Sequence, residues 1–220
     1  MENSATPDSP PATWTFADWW QAPGDWVETP NQRRGGWSGM MRLSHGGRLY
    51  YVKKQCNHLH RSLERPLGEP TTAREHRNIE RLTRLGIRVP KVVFHGLRRT
   101  SEGLEGLLVT ESLDGFVSLD AAPPLDRPAL KALAQAVGSV VGTLHRAYLQ
   151  HSCLYDKHVM VRWDDGRPEI ALIDLEKLRR PWLPWRAAAH DLDQLSRHQS
   201  IWNSADWQEL LAAHRTAMRR

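Results

Sequence analysis

Apolar residues change their spacing more than once along this chain. From Trp26 to Gln55 they sit in short runs broken by turn formers, which is the habit of hairpins. A strand near DWVETP leads to the turn-rich QRRGGWSG. The segments MMRLS and RLYYVKK then flank a Gly46-Gly47 turn. From Thr71 the period becomes helical. Ile79, Leu82 and Leu85 share one face, Thr71 or Thr72 can cap the segment, Gly86 can end it, and Pro90 forbids its continuation. VPKVVFHG and GLLVTES return to strand character across a TSEG turn.

After the polar crossing LDGFVSLDAAPP the pattern turns mostly helical. DRPALKALAQAVGSVVGTLHRAYL predicts a long helix with Asp126 as cap and Pro128 in its first turn. The short strands VMVRW and EIALIDL flank a DDG turn. Two helical segments follow, one around Ala187 to His198 and one from Ala205 to Met218 capped by Ser204. The reading is an α+β chain with residues 1–16 as a flexible Pro-containing tail, 17–115 as a sheet-rich lobe and 116–220 as a helix-rich lobe. TWTFADWW, at the tail's end, is expected to form a short helix that docks its tryptophans on a neighbouring surface.

Composition narrows the function classes. No apolar run is long enough to span a membrane, and the N-terminus lacks the basic and apolar regions of a secretory signal. Two cysteines, Cys56 and Cys153, make no disulfide framework, so a reducing cytoplasm is the expected compartment. The net charge of +5 favours an anionic partner. Basic residues are interspersed with acids and the aromatics follow no stacking pattern, so nucleic acid is not the expected one.

Five fragments carry candidate chemistry. Gly35, Gly36 and Gly39 in RRGGWSG let backbone N–H groups approach phosphate oxygens, although a loosened hairpin turn has the same composition. Lys53 ends the strand LYYVKK, in an alternation that can aim it inward. Glu75 lies one turn before Ile79 on the packed face of its helix, a costly place unless it meets a cation, and Lys53 is the natural one. The loop HSCLYDKHVMV supplies His151, Cys153 and His158. Asp174 ends the apolar strand ALIDL, where a carboxylate suits a metal. Glycine loop, strand lysine, helix glutamate, hinge, H-x-C-x4-H loop and strand-end aspartate form, in that order, the component list of a protein-kinase-like phosphotransferase.

Those stretches, with RPLGEPTTAREHRNIERLTRLGIRVPKVVF, LLVTESLDGFVSL and IDLEKLRR, resemble the lipopolysaccharide kinase family of Gram-negative bacteria, and within it the InaA-type proteins, from about residue 17 to the end. The resemblance implies a protein-kinase-like bilobal fold with a small antiparallel-sheet N-lobe, a reduced helical C-lobe, and ATP and Mg²⁺ as cofactors. It places Gly35, Gly36 and Gly39 over the nucleotide phosphates, Lys53 on them, Glu75 on Lys53 and Glu111 at the adenine-side hinge. It makes His151 the opening of the catalytic loop, Cys153 the occupant of the catalytic aspartate's place, and Asp174 and His158 the metal-side residues. It also makes Asp191 in HDLDQL the anchor of the loop.

Position 153 divides the functional reading. An unperturbed thiol has a pKa of about 8.5. Lys157, His151 and His158 would lower it if they converge, and Asp156 is a substitute base if it points inward. One reading is a phosphotransferase acting on a sugar hydroxyl of the lipopolysaccharide core or a related anionic glycan, cytoplasmic and in peripheral contact with the inner membrane. The other is a nucleotide-binding pseudokinase with a regulatory, stress-response role. A structural zinc site is not expected, since His151, Cys153 and His158 lack the spacing. RRPWLPWR is basic and aromatic enough for a membrane surface, but packing against the lobe is its expected use.

Overall fold

The computed structural model describes residues 13–33, 35–61, 65–181 and 183–220. Residues 1–12 of the expected tail, Arg34 of the glycine loop and Trp182 of RRPWLPWR lie outside the described residues. Backbone contacts divide the chain into two units. The first runs to Arg77 and resumes over Pro90–Ser112, and the second comprises Asn78–Val89 and Leu113–Arg220.

The first unit begins with α1 (Phe16–Gln21). Thr15 and Asp18 form a reciprocal capping box at its start, which satisfies two backbone donors at once. The strands β1 (Asp25–Trp26), β2 (Asn31–Arg33), β3 (Gly36–His45) and β4 (Arg48–Cys56) follow, then the short pair β5 (Leu59–His60) and β6 (Glu69–Pro70). Helix α2 (Thr71–Arg84) precedes β7 (Val92–Arg99) and β8 (Leu104–Glu111). The main sheet is antiparallel in the order β1-β3-β4-β8-β7, with β2 paired to β3. Strand alternation puts Tyr50 and Val52 on one face, where they pack with Met41, Leu43, Leu107, Val109 and Trp19. Trp14, Phe16 and Trp20 cover that core, so the tryptophan helix docks as expected. Lys53, one residue on from Val52, belongs to the opposite face.

Two helix ends differ from the expectation or sharpen it. The N-terminus of α2 is capped from the sheet rather than by its own threonines. Gln55 Oε1 accepts the Thr72 N–H at 2.9 Å and the Thr71 hydroxyl at 2.7 Å. At the other end, Ile87 N–H donates to Leu82 O and Gly86 N–H to Thr83 O, the paired bonds of a Schellman motif.

The second unit takes the last part of α2, then β9 (Val117–Ser118), α3 (Arg127–Arg146), β10 (Val159–Asp164), β11 (Arg167–Leu172), α4 (Pro184–His198) and α5 (Ser204–Arg219). Asp126 caps α3 through the Ala129 N–H. Helix α5 is capped by Asn203, not Ser204: Asn203 and Asp206 form a second capping box, and Ser204 is the first helical residue. Helices α3 and α5 pack closely through Gly138 and Gly142, where a Cβ would come within 2.2 Å of Leu210 O and 2.6 Å of His214 O. Among the described residues no helix is long and apolar enough to cross a membrane.

Candidate active site

Lys53 and Glu75 meet in the first unit. The Lys53 ammonium donates to Glu75 Oε2 at 2.6 Å, and both side chains are nearly buried. β4 brings the lysine and the first half of α2 the glutamate. The glycines are less uniform. Gly36 lies against the β4 end, where a Cβ would come within 2.1 Å of Cys56 O, and Gly39 lies against Trp26 and Pro30. Packing alone therefore requires both. Gly35, with φ +76° in the β2–β3 turn, has open space around it. Glu111, the last residue of β8, is held by Arg48 at 3.4 Å and Lys91 at 3.0 Å.

In the second unit the loop after α3 is suspended from α4. Asp191 accepts the His151 N–H at 2.6 Å and the Ser152 N–H at 3.0 Å, and Gln194 Oε1 accepts the Leu154 N–H at 2.7 Å. Asp191 also meets His145 Nε2 of α3 at 3.1 Å. The other ring nitrogen of His145 faces His214 Nε2 of α5 at 2.8 Å, one donating and the other accepting. Burial alone would raise the Asp191 carboxyl, but His145 and the two loop amides outweigh it and hold it below the usual aspartate range. Burial, helped by the charges of His145 and Arg215, lowers His214 to about 4.

The loop lies beside the segment that follows β11. Gln150 and Arg179 exchange backbone bonds of 2.8 and 3.0 Å, His151 Nε2 donates to Ile173 O, and Ile173 N–H donates to His158 O. Asp174 sits in the left-handed region (φ 57°, ψ 56°) and opens a 3₁₀ turn, Leu175–Lys177. A non-glycine residue held there is often a sign of function. The buried Asn78 clamps this turn, its amide donating to Leu175 O at 2.8 Å and Leu178 O at 3.2 Å. Asp174 Oδ2 lies 3.6 Å from His158 Nδ1, which itself bonds Cys153 O at 2.7 Å.

Cys153 is not activated as the sequence allowed. Burial pushes its thiol up and Asp174 adds to that, while Lys177 offsets only part. The cation that acts on the thiol is Lys177 rather than Lys157, whose ammonium lies 6.0 Å from the Tyr155 ring centre. His151 is no help either, because burial drives its imidazole toward the neutral form despite Asp191 and Asp174. Asp156 accepts the N–H of Lys157 and, among the described residues, makes no bond to Cys153, His158 or Asp174.

The Asp174 carboxylate, one-third exposed, suits a magnesium ion that takes most of its ligands from phosphates. His158 faces it through Nδ1, whose hydrogen is committed to Cys153 O. Among the described residues no cluster of three His, Cys, Asp or Glu could hold a metal by itself.

The chain order gave Lys53, Glu75, the loop and Asp174, and the resemblance gave Asp191. Neither gave Asn78, Gln194, His145, His214 or Lys177. Of these, only the buried histidine on the packed face of α3 left a trace in the apolar pattern, as a polar residue at a core position.

Comparison with known proteins follows the geometry. The model of the Lipopolysaccharide kinase (Kdo/WaaP) family matches residues 17–214. Protein InaA of Escherichia coli (strain K12) is 36% identical over 203 residues, covering 90% of this chain and 94% of that protein. The solved structure of WaaP in complex with acyl carrier protein matches with a TM-score of 0.68 and 26% identity, covering 93% of this chain and 82% of WaaP. The sheet unit and the helical unit are thus those of a kinase-like α+β fold.

Proposed function

This chain belongs to the lipopolysaccharide kinase (Kdo/WaaP) family, and on that premise we propose that it transfers the γ-phosphoryl group of ATP to a sugar hydroxyl of the lipopolysaccharide core or a related anionic glycan. The Lys53–Glu75 ion pair carries the reading. Taking two charges out of water is expensive, and such a pair is weak as a device for stability alone. Its use here is to hold an ammonium extended toward phosphate oxygens, with the Gly35 turn as the backbone approach. Asp174, with His158 at its side, would hold Mg²⁺, which when bound neutralises phosphate charge. Glu111 would stand at the adenine side.

Transfer to an alcohol is then a matter of positioning and charge rather than of a strong base. Phosphoryl transfer passes through a loose transition state. A general base contributes about 10²–10⁴-fold, against total enhancements of roughly 10⁶-fold and upward. Cys153, whose thiol burial holds protonated at neutral pH, cannot act as that base. A slow kinase is the consequence. Action at the cytoplasmic face of the inner membrane, with peripheral contact, suits the net charge of +5. On the strength of the WaaP complex, an acyl carrier protein is a further candidate partner.

The test offers purified protein MgATP and deacylated lipopolysaccharide core oligosaccharide. Slow phosphorylation is expected, and Cys153→Asp should raise turnover by about 10–100-fold. Normal ATP binding with no ATP consumed by either protein would leave a nucleotide-binding protein without transfer activity, and the reading would fall.

A further inference from the structure

Helices α3 and α5 run parallel, because their contacts advance together along both. Arg127 pairs with Asp206 at 2.9 Å, Gly138 meets Leu210, Gly142 meets His214, and Arg146 Nη1 donates to Ala217 O at 3.2 Å. Their last turns therefore lie at the same end of the pair. Charge is balanced at one end and not at the other. At the first end Arg127 and Lys131 are neutralised by Asp206 and Glu209. Beyond that, α3 carries no acidic residue and α5 none after Glu209. Arg146, Arg215, Arg219 and Arg220 are all exposed at the second end, and among the described residues none of them forms an ion pair. A cavity of about 450 Å³ lies between the two helices, and Arg146 and Arg220 both line it.

Two apolar side chains accompany this charge. Met218 is 38% exposed in the last turn of α5. Tyr148, 58% exposed, follows α3 in the left-handed region (φ 56°), where its N–H donates to His145 O. Cations at helix C-termini answer the helix dipoles, but a dipole has no use for an exposed tyrosine and methionine beside them. Arginines without counter-charges, with apolar groups at the same level, match the surface of an anionic bilayer, where phosphates border acyl chains.

We propose that the common end of α3 and α5 is a membrane-docking surface. Arg146, Arg219 and Arg220 contact the phosphate oxygens of anionic lipid, while Tyr148 and Met218 enter the boundary between headgroups and acyl chains. This deepens the peripheral contact proposed above, on which it rests, and needs nothing from phosphoryl transfer. A nucleic acid would offer the same phosphates but nothing apolar for Met218 to enter.

Sedimentation of the full chain with vesicles tests the surface. One set is phosphatidylcholine alone, and the other contains about one-third phosphatidylglycerol. The wild type should bind only the second set and be released by high KCl. Each arginine near such a surface contributes about fivefold to the partition coefficient. The triple variant Arg146→Gln, Arg219→Gln, Arg220→Gln should therefore bind on the order of 100-fold more weakly. Tyr148→Asn, which suits the left-handed backbone, should lose about threefold or more without changing the salt dependence. A control triple, Arg84→Gln with Arg99→Gln and Arg167→Gln, removes the same charge from exposed positions elsewhere and should lose no more than about fivefold. Equal losses in the two triples would make the contact a matter of net charge and overturn the surface, leaving peripheral contact in place. No vesicle binding by the wild type, or binding to duplex DNA alone, overturns both. Stabilisation by MgATP, read on the same samples, tests the phosphotransferase reading separately, and its absence would leave the docking surface standing. Circular dichroism confirms that the variants are folded, as expected for exposed side chains.

Discussion

Two adjacent lysines illustrate how far single residues could be read. Lys53 and Lys54 end the same strand, and alternation sends them to opposite faces. Lys53 meets Glu75, as its register and the odd placement of that acid suggested. Lys54 is nearly buried behind it, donating to Trp20 O at 2.6 Å, and burial lowers its pKa. No local pattern announces that contact, because the acceptor is a backbone carbonyl 34 residues away. The two should respond differently to the same change. Lys53→Met should abolish stabilisation by MgATP. Lys54→Met loses a hydrogen bond but also ends the desolvation of a cation, so its unfolding free energy should stay within about 1–2 kcal/mol of wild type. Its nucleotide binding should be unchanged. Urea unfolding and nucleotide titration separate the two outcomes, and an Lys53→Met protein that still binds MgATP would remove the lysine from the site.

Among the elements, α3, α4 and α5 form the frame of the loop. Asp191 and Gln194 hold it, and His145 and His214 extend the connection to the C-terminal helix. The sign of the pH effect follows from the depressed histidines. His151 and His214 are neutral in the folded state, and an unfolded chain takes up their protons near pH 6.5. Stability from them is present above about pH 6.5 and is lost as the pH falls toward 4. Urea midpoints should therefore drop over that window, and less steeply in His214→Gln. Parallel slopes would show that His214 is not the group responsible. The close approach of α3 and α5 gives a sharper test. Gly138→Ala puts a methyl within 2.2 Å of Leu210 O, and separating the helices should cost about 1–3 kcal/mol in thermal or urea unfolding. The helices themselves were legible, since Asp126, Pro128 and the three-four apolar spacing mark α3 unambiguously. The caps of α2 and α5 were not. Gln55 reaches its helix across 17 residues, and Asn203 stands one position before a serine that looked equally able.

For the whole molecule, the α+β class was written in the change of period from strand-like to helical and in the order of the chemical fragments. The division inside α2 at Arg77 and Asn78 was not, because what assigns Asn78 to the second unit is a turn 97 to 100 residues further on. Lys53 and Glu75 belong to one unit, and Asp174 and His158 to the other. The account gives Lys53 to the nucleotide phosphates and Asp174 to the metal. Thermal unfolding with ATP, in the presence and absence of Mg²⁺, tests this in wild type, Lys53→Met and Asp174→Asn. At 100-fold excess over Kd the wild type should gain about 5 °C or more, and only with the metal. Lys53→Met should gain nothing, and Asp174→Asn should lose the dependence on Mg²⁺. No gain in the wild type, or the same gain in all three proteins, would contradict the account.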